Sequence, residues 1–212
     1  MRERPTRLKL PSLRRWLIGV HTDLLAIHEH VPGAVYPEQL TLVEKLVLVL
    51  EDRRFFDHSG SDLRSVCREL FRALTLQRHG GASTIDMQFV RTVTGRKERT
   101  LRRKLYEIML SKLIQYRYSK IRILRGYLSC AFFGSHLYGS HAASAAMYEK
   151  HPDSLNLDEA SVIAAMLVYP KPLKPTPKWA NNISRRANYG KTVYVRHKEK
   201  FDKLKISEPH YI

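Results

Sequence analysis

Apolar residues recur at the period of an α-helix along most of this chain of 212 residues, which strongly limits the folds open to it. Val43, Leu46, Val47 and Leu50 lie at i, i+3, i+4 and i+7, and this spacing predicts a helix that ends at Glu51. The same period predicts helices over residues 99–118, 120–128, 157–167 and 179–203. Segments typical of strands are few and short. Because 43% of the residues are hydrophobic, the chain can build a core, and we predict one mostly helical domain.

Four residues predict where helices begin and end. Asn156 and Glu159 have the spacing of a capping box, in which each side chain bonds the backbone of the other at a helix N-terminus. Ser119 is a favourable N-cap for the helix over 120–128. Pro170 has no backbone N–H and is expected to close the helix that begins after Asn156.

The chain carries 37 Lys and Arg residues against 20 Asp and Glu residues, which gives a net charge of +17. A field of this sign concentrates nucleic acid, acidic lipid headgroups or a phosphorylated substrate, and composition alone favours nucleic acid. No apolar run approaches the roughly 20 residues that cross a bilayer. The basic N-terminal segment is a poor match to a signal peptide, and its composition suits an anionic membrane surface.

The first polar cluster begins at Glu51 and continues through Asp52 and His58 to Asp62. A carboxylate at the junction of an apolar helix and a glycine-containing polar segment is expected at the edge of a cleft. Partial desolvation there suits it to act as a general base. The alternative is a solvated helix end that carries an acidic pair.

The second cluster spans residues 81–88 and combines small residues with hydroxyl and amide side chains. Such a segment can line a site for sugar hydroxyls or phosphate oxygens, or it can be an ordinary loop that caps a helix.

The third cluster is a basic helix in which Arg99, Arg103 and Glu107 lie at i, i+4 and i+8 and so share one face. Cations on one face suit a departing diphosphate, and an acid among them would orient them or bind a metal ion. The alternatives are a solvated basic face and a nucleic-acid patch.

Together these clusters resemble, in order and approximate spacing, the motifs of the peptidoglycan glycosyltransferase family. That family includes the monofunctional transglycosylases and the polymerising domain of bifunctional penicillin-binding proteins. Glu51, Asp52, Phe55, His58 and Gly60 match ED-x-x-F-x-x-H-x-G, residues 81–88 match G-(G/A)-S-T-I-T-Q-Q, and Arg103, Lys104 and Glu107 match R-K-x-x-E. Two further blocks, around 118–143 and 157–170, follow in register, so the resemblance covers about residues 42–186.

The resemblance implies polymerisation of lipid II into β-1,4 glycan strands, with inversion at the anomeric carbon and loss of polyprenyl pyrophosphate. It implies that Glu51 is the general base and that Glu107 is the second catalytic carboxylate, with a divalent cation, Mg or Mn, at Glu107. No organic cofactor is expected. The implied substrate-binding residues are Asp52, Phe55, His58, Arg68, Ser83, Thr84, Gln88, Arg91, Arg99, Arg103 and Lys104.

The fold implied by the resemblance is a lysozyme-like helical head with a smaller membrane-facing jaw, in a single domain. We predict a basic N-terminal segment over 1–36, the glycosyltransferase domain over 37–190 and a basic C-terminal tail over 191–212. The implied partners are lipid II, the lipid-linked glycan chain, an anionic membrane surface and cell-wall synthesis proteins, with no nucleic acid. The implied location is the outer face of the cytoplasmic membrane.

The chain departs from the family motifs at several positions, including Asp86 and Met87, where Thr and Gln are usual, and Tyr106, where Lys often precedes the second Glu. These changes indicate a divergent member with altered donor contacts or reduced activity. The alternatives are a relative that binds lipid II or glycan without turnover, a basic nucleic-acid-binding helical protein, and a lytic enzyme on the related lysozyme-like fold.

Overall fold

The computed structural model describes residues 13–33, 39–62, 83–96, 98 and 100–202. Eight α-helices and one short hairpin lie in these residues. The first helices are α1 (Leu13–His30), α2 (Leu42–Glu51), α3 (Ile85–Thr94), α4 (Leu101–Arg117) and α5 (Lys120–Cys130). The hairpin β1 (Phe132–Gly134) and β2 (Leu137–Tyr138) is antiparallel and leads to α6 (Ser140–Tyr148), α7 (Leu157–Met166) and α8 (Pro177–Asp202). The prediction of a mostly helical domain is confirmed.

Helices α2, α7 and α8 pack against one another around the C-terminal end of α2. Ala160 and Ala164 of α7 are fully buried, and their small side chains let the neighbouring helices approach closely. Gly190 of α8 lies against Leu50 of α2, because a Cβ on this glycine would stand 3.2 Å from both Leu50 Cδ atoms. This contact brings α8 across the residue that precedes Glu51.

Helix α3 is the centre of a second group of helices, in which it packs against α1, α4 and α5. The loop after α2 joins this group through Gly60, whose φ of 79° favours glycine. A Cβ at Gly60 would stand 2.6 Å from the backbone oxygen of Ser111, so any side chain would separate the loop from α4. The polar segment after Glu51 is thus held directly against α4.

The structure confirms the predicted helix starts and ends only in part. The capping box of Asn156 and Glu159 is present at the start of α7. Helix α5 begins directly after Ser119, but the prediction of a side-chain cap is wrong because the Ser119 side chain makes no capping hydrogen bond. Helix α7 ends at Met166, and its turn continues to Tyr169, whose N–H donates to the carbonyl of Ala165, so these hydrogen bonds stop directly before Pro170, as predicted.

The first turns of helix α4 present apolar residues to solvent, whereas Leu110 and Ile114 further along the helix are buried in the core. Leu101 is 76% exposed and Leu105 is 58% exposed, whereas Glu107 is 1% exposed and Ser111 is fully buried. The apolar period therefore predicted the helix correctly, although Leu101 and Leu105 do not face the core. Among the described residues, no helix has both the length and the apolar composition to cross a membrane.

Candidate active site

The Glu51 carboxylate ends α2 and is held by side chains from two other helices. Arg186 of α8 donates from Nη2 to Glu51 Oε1 at 3.1 Å, and Gln88 of α3 donates from Nε2 to Glu51 Oε2 at 3.4 Å. The Gln88 Oε1 atom accepts a hydrogen bond from the Tyr127 hydroxyl of α5 at 2.8 Å. The Glu51 side chain is 13% exposed, so it keeps some access to solvent. A proton acceptor at this position can meet a ligand while its orientation is fixed.

Tyr127 and Arg186 belong to this group, although the sequence did not identify either as a site residue. Burial, together with the charge of Glu51, raises the pKa of the Tyr127 phenol, and Arg91 opposes the rise. The phenol therefore stays protonated and keeps donating to Gln88. Arg186 lies 135 residues from Glu51 in a generally basic helix, and nothing in that local sequence singles it out.

Asp52, Phe55 and His58 form a buried wall directly after Glu51 in the chain. The Asp52 carboxylate accepts the backbone N–H of Ile85 at 3.1 Å and pairs with His58 Nε2 at 3.0 Å. Both side chains are nearly buried, and Phe55 belongs to the hydrophobic core. This wall joins the end of α2 to the start of α3.

The hydroxyl segment before α3 makes structural contacts in the absence of substrate. Thr84 caps α3 by accepting the Met87 backbone N–H at 3.3 Å, and it donates to the carbonyl of Gly60 at 2.8 Å. Ser83 accepts a hydrogen bond from Lys104 Nζ of α4 at 2.9 Å. The predicted residues Ser83, Thr84 and Gln88 thus bridge the loop after α2, α4 and Glu51.

The basic group on α4 surrounds the second carboxylate. Arg103 Nη1 donates to Glu107 Oε1, whereas Glu107 Oε2 is buried and has no hydrogen-bond partner among the described residues. Burial lowers the pKa of Lys104, and Glu107 opposes this while Arg91 and Arg103 add to it. Arg91, Arg103 and Lys104 thus form one cationic group around the buried Glu107.

Arg91 of α3 connects the two carboxylate groups. It acts electrostatically on Tyr127 beside Glu51 and on Lys104 beside Glu107. Gln88 and Arg91 are three residues apart on α3, so they share one helix face. Two other predicted cations, Arg68 and Arg99, lie outside the described residues.

Two places in the described residues offer ligand atoms to a divalent cation. Glu107 Oε2 is an orphaned oxygen that would suit a cation taking most of its ligands from substrate phosphates and water. Asp52, His58 and Asp86 also bring ligand atoms within 4.8 Å of one another. Lys120 Nζ already lies there, 3.1 Å from the Asp86 carboxylate and 3.5 Å from His58 Nδ1, so an ammonium takes the place of a metal.

A cavity of about 650 Å³ opens beside the basic group, between α1 and α4. Its wall combines guanidinium groups with apolar side chains, among them Arg15, Trp16, Arg102, Leu105 and Met109. Tyr106 supports this wall by donating from its hydroxyl to Asp23 of α1 at 2.7 Å. The combination suits a ligand with both an anionic head and an apolar part.

The sequence matches the Transglycosylase family over residues 27–193. It is 33% identical over 172 residues to the biosynthetic peptidoglycan transglycosylase of Bdellovibrio bacteriovorus, an alignment that covers 81% of this chain and 62% of that relative. A protein of the same description from Thiobacillus denitrificans is 31% identical over 161 residues, with 76% and 65% covered. Penicillin-binding protein 1A of Rickettsia typhi is 33% identical over 150 residues, which are 69% of this chain and 19% of that relative. The chain thus spans less than two thirds of the length of the first two relatives.

Proposed function

Because the chain belongs to the transglycosylase family, we propose that it is a peptidoglycan glycosyltransferase that polymerises lipid II into β-1,4 glycan strands. The observation that carries this proposal is the placement of two carboxylates around α3. Glu51 is held by Gln88 on one side, and Glu107 lies within the cationic group on the other, while Arg91 acts on Tyr127 beside the first and on Lys104 beside the second.

In the proposed reaction, Glu51 accepts the proton of the acceptor sugar's 4-hydroxyl as that oxygen attacks C1 of the donor sugar. The new C–O bond forms as the bond from C1 to the pyrophosphate oxygen breaks, which inverts the anomeric carbon. Gln88 and Arg186 orient the Glu51 carboxylate through the hydrogen bonds described above. Oriented bases of this kind contribute roughly 10²–10⁴-fold to the rate.

The departing polyprenyl pyrophosphate gathers negative charge, which the basic group is suited to neutralise. Arg103 and Lys104 project from α4, and Arg91 faces them from α3. Fixed cations of this kind stabilise a developing anion without reorganising during the reaction. Glu107 holds Arg103 in place and, through Oε2, would provide one ligand to Mg or Mn. When bound, that cation would supply further charge neutralisation at the pyrophosphate.

The proposed partner beyond lipid II is an anionic membrane surface at the outer face of the cytoplasmic membrane. Leu13, Leu17 and Ile18 of α1 are exposed, as are Leu101 and Leu105 of α4. The cavity between the two helices adds guanidinium groups to this apolar surface. Apolar and basic side chains together suit the interface of an anionic bilayer, where a lipid-linked substrate resides.

The decisive experiment incubates the purified chain with lipid II and Mg²⁺ or Mn²⁺ and separates the products on a gel. Glycan strands longer than the substrate are expected, and a chelator should reduce them. Shortening of added glycan would indicate a lytic enzyme, and lipid II binding without product would indicate a non-catalytic relative. Salt-sensitive binding to any DNA, with no glycan product, would replace the proposal by nucleic-acid binding.

A further inference from the structure

Asp86 and Lys120 form a buried ion pair that the proposed chemistry does not use. Asp86 lies in the first turn of α3 and is fully buried, and Lys120 is the first residue of α5. The ammonium donates to Asp86 Oδ2 at 3.1 Å and lies 4.2 Å from the centre of the Phe55 ring. Gln115 of α4 donates to the other carboxylate oxygen. The pair therefore sits where three helices meet the loop after α2.

The pair extends to the residue next to Glu51 through one histidine. Lys120 Nζ lies 3.5 Å from His58 Nδ1, and an ammonium can only donate, so this ring nitrogen accepts. His58 Nε2 then carries the proton and donates to Asp52 at 3.0 Å. Asp52 is bonded directly to Glu51 in the chain. A continuous series of contacts thus runs from Asp86 to the backbone of the proposed base.

The same pair also fixes the other side of Glu51. Two residues after Asp86 on α3 lies Gln88, which donates to Glu51, and two turns after Lys120 on α5 lies Tyr127, which donates to Gln88. By holding the N-termini of α3 and α5 together, the ion pair sets the distance between these three side chains.

Burial works against the charges of both members of the pair. Burial raises the pKa of Asp86, although Lys120, Gln115 and His58 oppose the rise. Burial likewise lowers the pKa of Lys120, although Asp86 and Asp52 oppose the fall. In both groups desolvation is the largest cause of the shift, so burial opposes the charges that the pair carries. Neutral residues of similar size in place of such a pair are often as stable or more stable.

We infer that Asp86 and Lys120 are positioning residues for Glu51, and that the chain retains their charges for geometry instead of stability. This inference rests on the proposed function for its kinetic consequence. It gives a role to Asp86, the carboxylate that stands where the family usually has Thr.

The test compares Asp86→Asn, Lys120→Met and the double variant with the wild type. Each single variant leaves one buried charge without its partner and should lower the melting temperature. The double variant should melt at or above the wild-type temperature, yet its kcat should stay about 10²-fold lower with little change in KM, since small misplacements at a reacting centre have this effect. A crystal structure of the double variant should show the 3.4 Å contact between Glu51 and Gln88 broken.

The control is the buried pair of Glu44 and Arg125, whose atoms are 2.7 Å apart at the opposite end of α2. Glu44→Gln combined with Arg125→Met should leave kcat unchanged. A double variant of Asp86 and Lys120 with wild-type kcat, an intact contact or a lowered melting temperature would overturn the inference. If the wild type makes no glycan, the proposed function fails, but the melting and crystallographic results still decide the role of the pair.

Discussion

Helices α2 and α4 have similar apolar periods, but α2 turns its apolar residues to the core and the first turns of α4 present theirs to solvent. In α2, Leu46 and Val47 are fully buried, so the apolar face lies against the core. In α4, Leu101 and Leu105 are exposed while Glu107 and Ser111 are buried. Helix α2 thus turns its apolar residues to the core, whereas α4 does so at Leu110 and Ile114 and presents an apolar surface in its first turns. A period of 3.6 residues reveals a helix, but it does not reveal which face the core takes.

The largest expected effect comes from Glu51, the carboxylate at the end of α2. Glu51→Gln at the end of α2 keeps the shape of the side chain and one accepting oxygen but removes the proton acceptor. We expect kcat for glycan polymerisation to fall roughly 10²–10⁴-fold. Because Glu51 is partly exposed, the melting temperature should change little. Polymerisation by the purified variant at the wild-type rate would remove Glu51 from the mechanism.

The next effect compares the two apolar faces directly by stability. Leu46→Ala in α2 removes a fully buried side chain and should lower the free energy of unfolding by about 2–5 kcal/mol. Leu105→Ala in α4 should change it by no more than about 0.5 kcal/mol, since this side chain is largely exposed. Urea denaturation of both variants measures the contrast. Equal losses would show that the α4 face is part of a core after all.

The α4 surface should also bind membranes in a way that the α2 face cannot. Leu101→Ser combined with Leu105→Ser should weaken sedimentation with phosphatidylglycerol vesicles that contain no lipid II. Arg102→Gln should weaken it roughly fivefold, about 1 kcal/mol for one surface charge. The matched control is Val195→Ser on α8, which is 62% exposed and should have no effect. An equal loss in this control would mean that vesicle binding is not specific to α1 and α4.

The smallest effect concerns the polar attachment of α4 to α1. Burial and the neighbouring Asp23 raise the pKa of Tyr106 from its ordinary 10.0 to about 12. Because the pKa of Tyr106 is higher in the folded state, its contact with Asp23 contributes fully to the free energy of unfolding below pH 10. This contribution is lost as the pH rises through about 12. The Tyr106→Phe variant should therefore have a slightly lower free energy of unfolding than the wild type at pH 8 but not at pH 12. A difference that did not vary with pH would contradict this origin.

Local signals in the sequence were sufficient for five of the eight described helices and for the position of Glu51. The capping box of Asn156 and Glu159 acts within four residues, and the apolar period places Glu51 at the end of α2. The contact of Arg186 with Glu51 depends on how α8 packs across α2, which no local pattern encodes. The sequence also did not predict that Glu107 and Ser111 of α4 are buried, because only the site that they meet explains this.

Asp86 shows a further limit of motif comparison. Its position in the motif associates it with substrate contacts, whereas the structure places it in full burial against Lys120 and Gln115. The partner lysine lies 34 residues later in the chain, within another motif. Motifs record which residues are present, but the pairing of residues between motifs needs the packed helices.

The contact between Gly190 and Leu50 has a consequence for the timing of biosynthesis. It seats α8 on α2 and brings Arg186 to Glu51 from 135 residues further along the chain. At about 5–20 residues per second, a ribosome needs roughly 7–27 seconds after making Glu51 before its guanidinium partner exists. Until then Leu50 lacks its covering helix, so a nascent chain halted before α8 has an unfinished base and an exposed apolar edge.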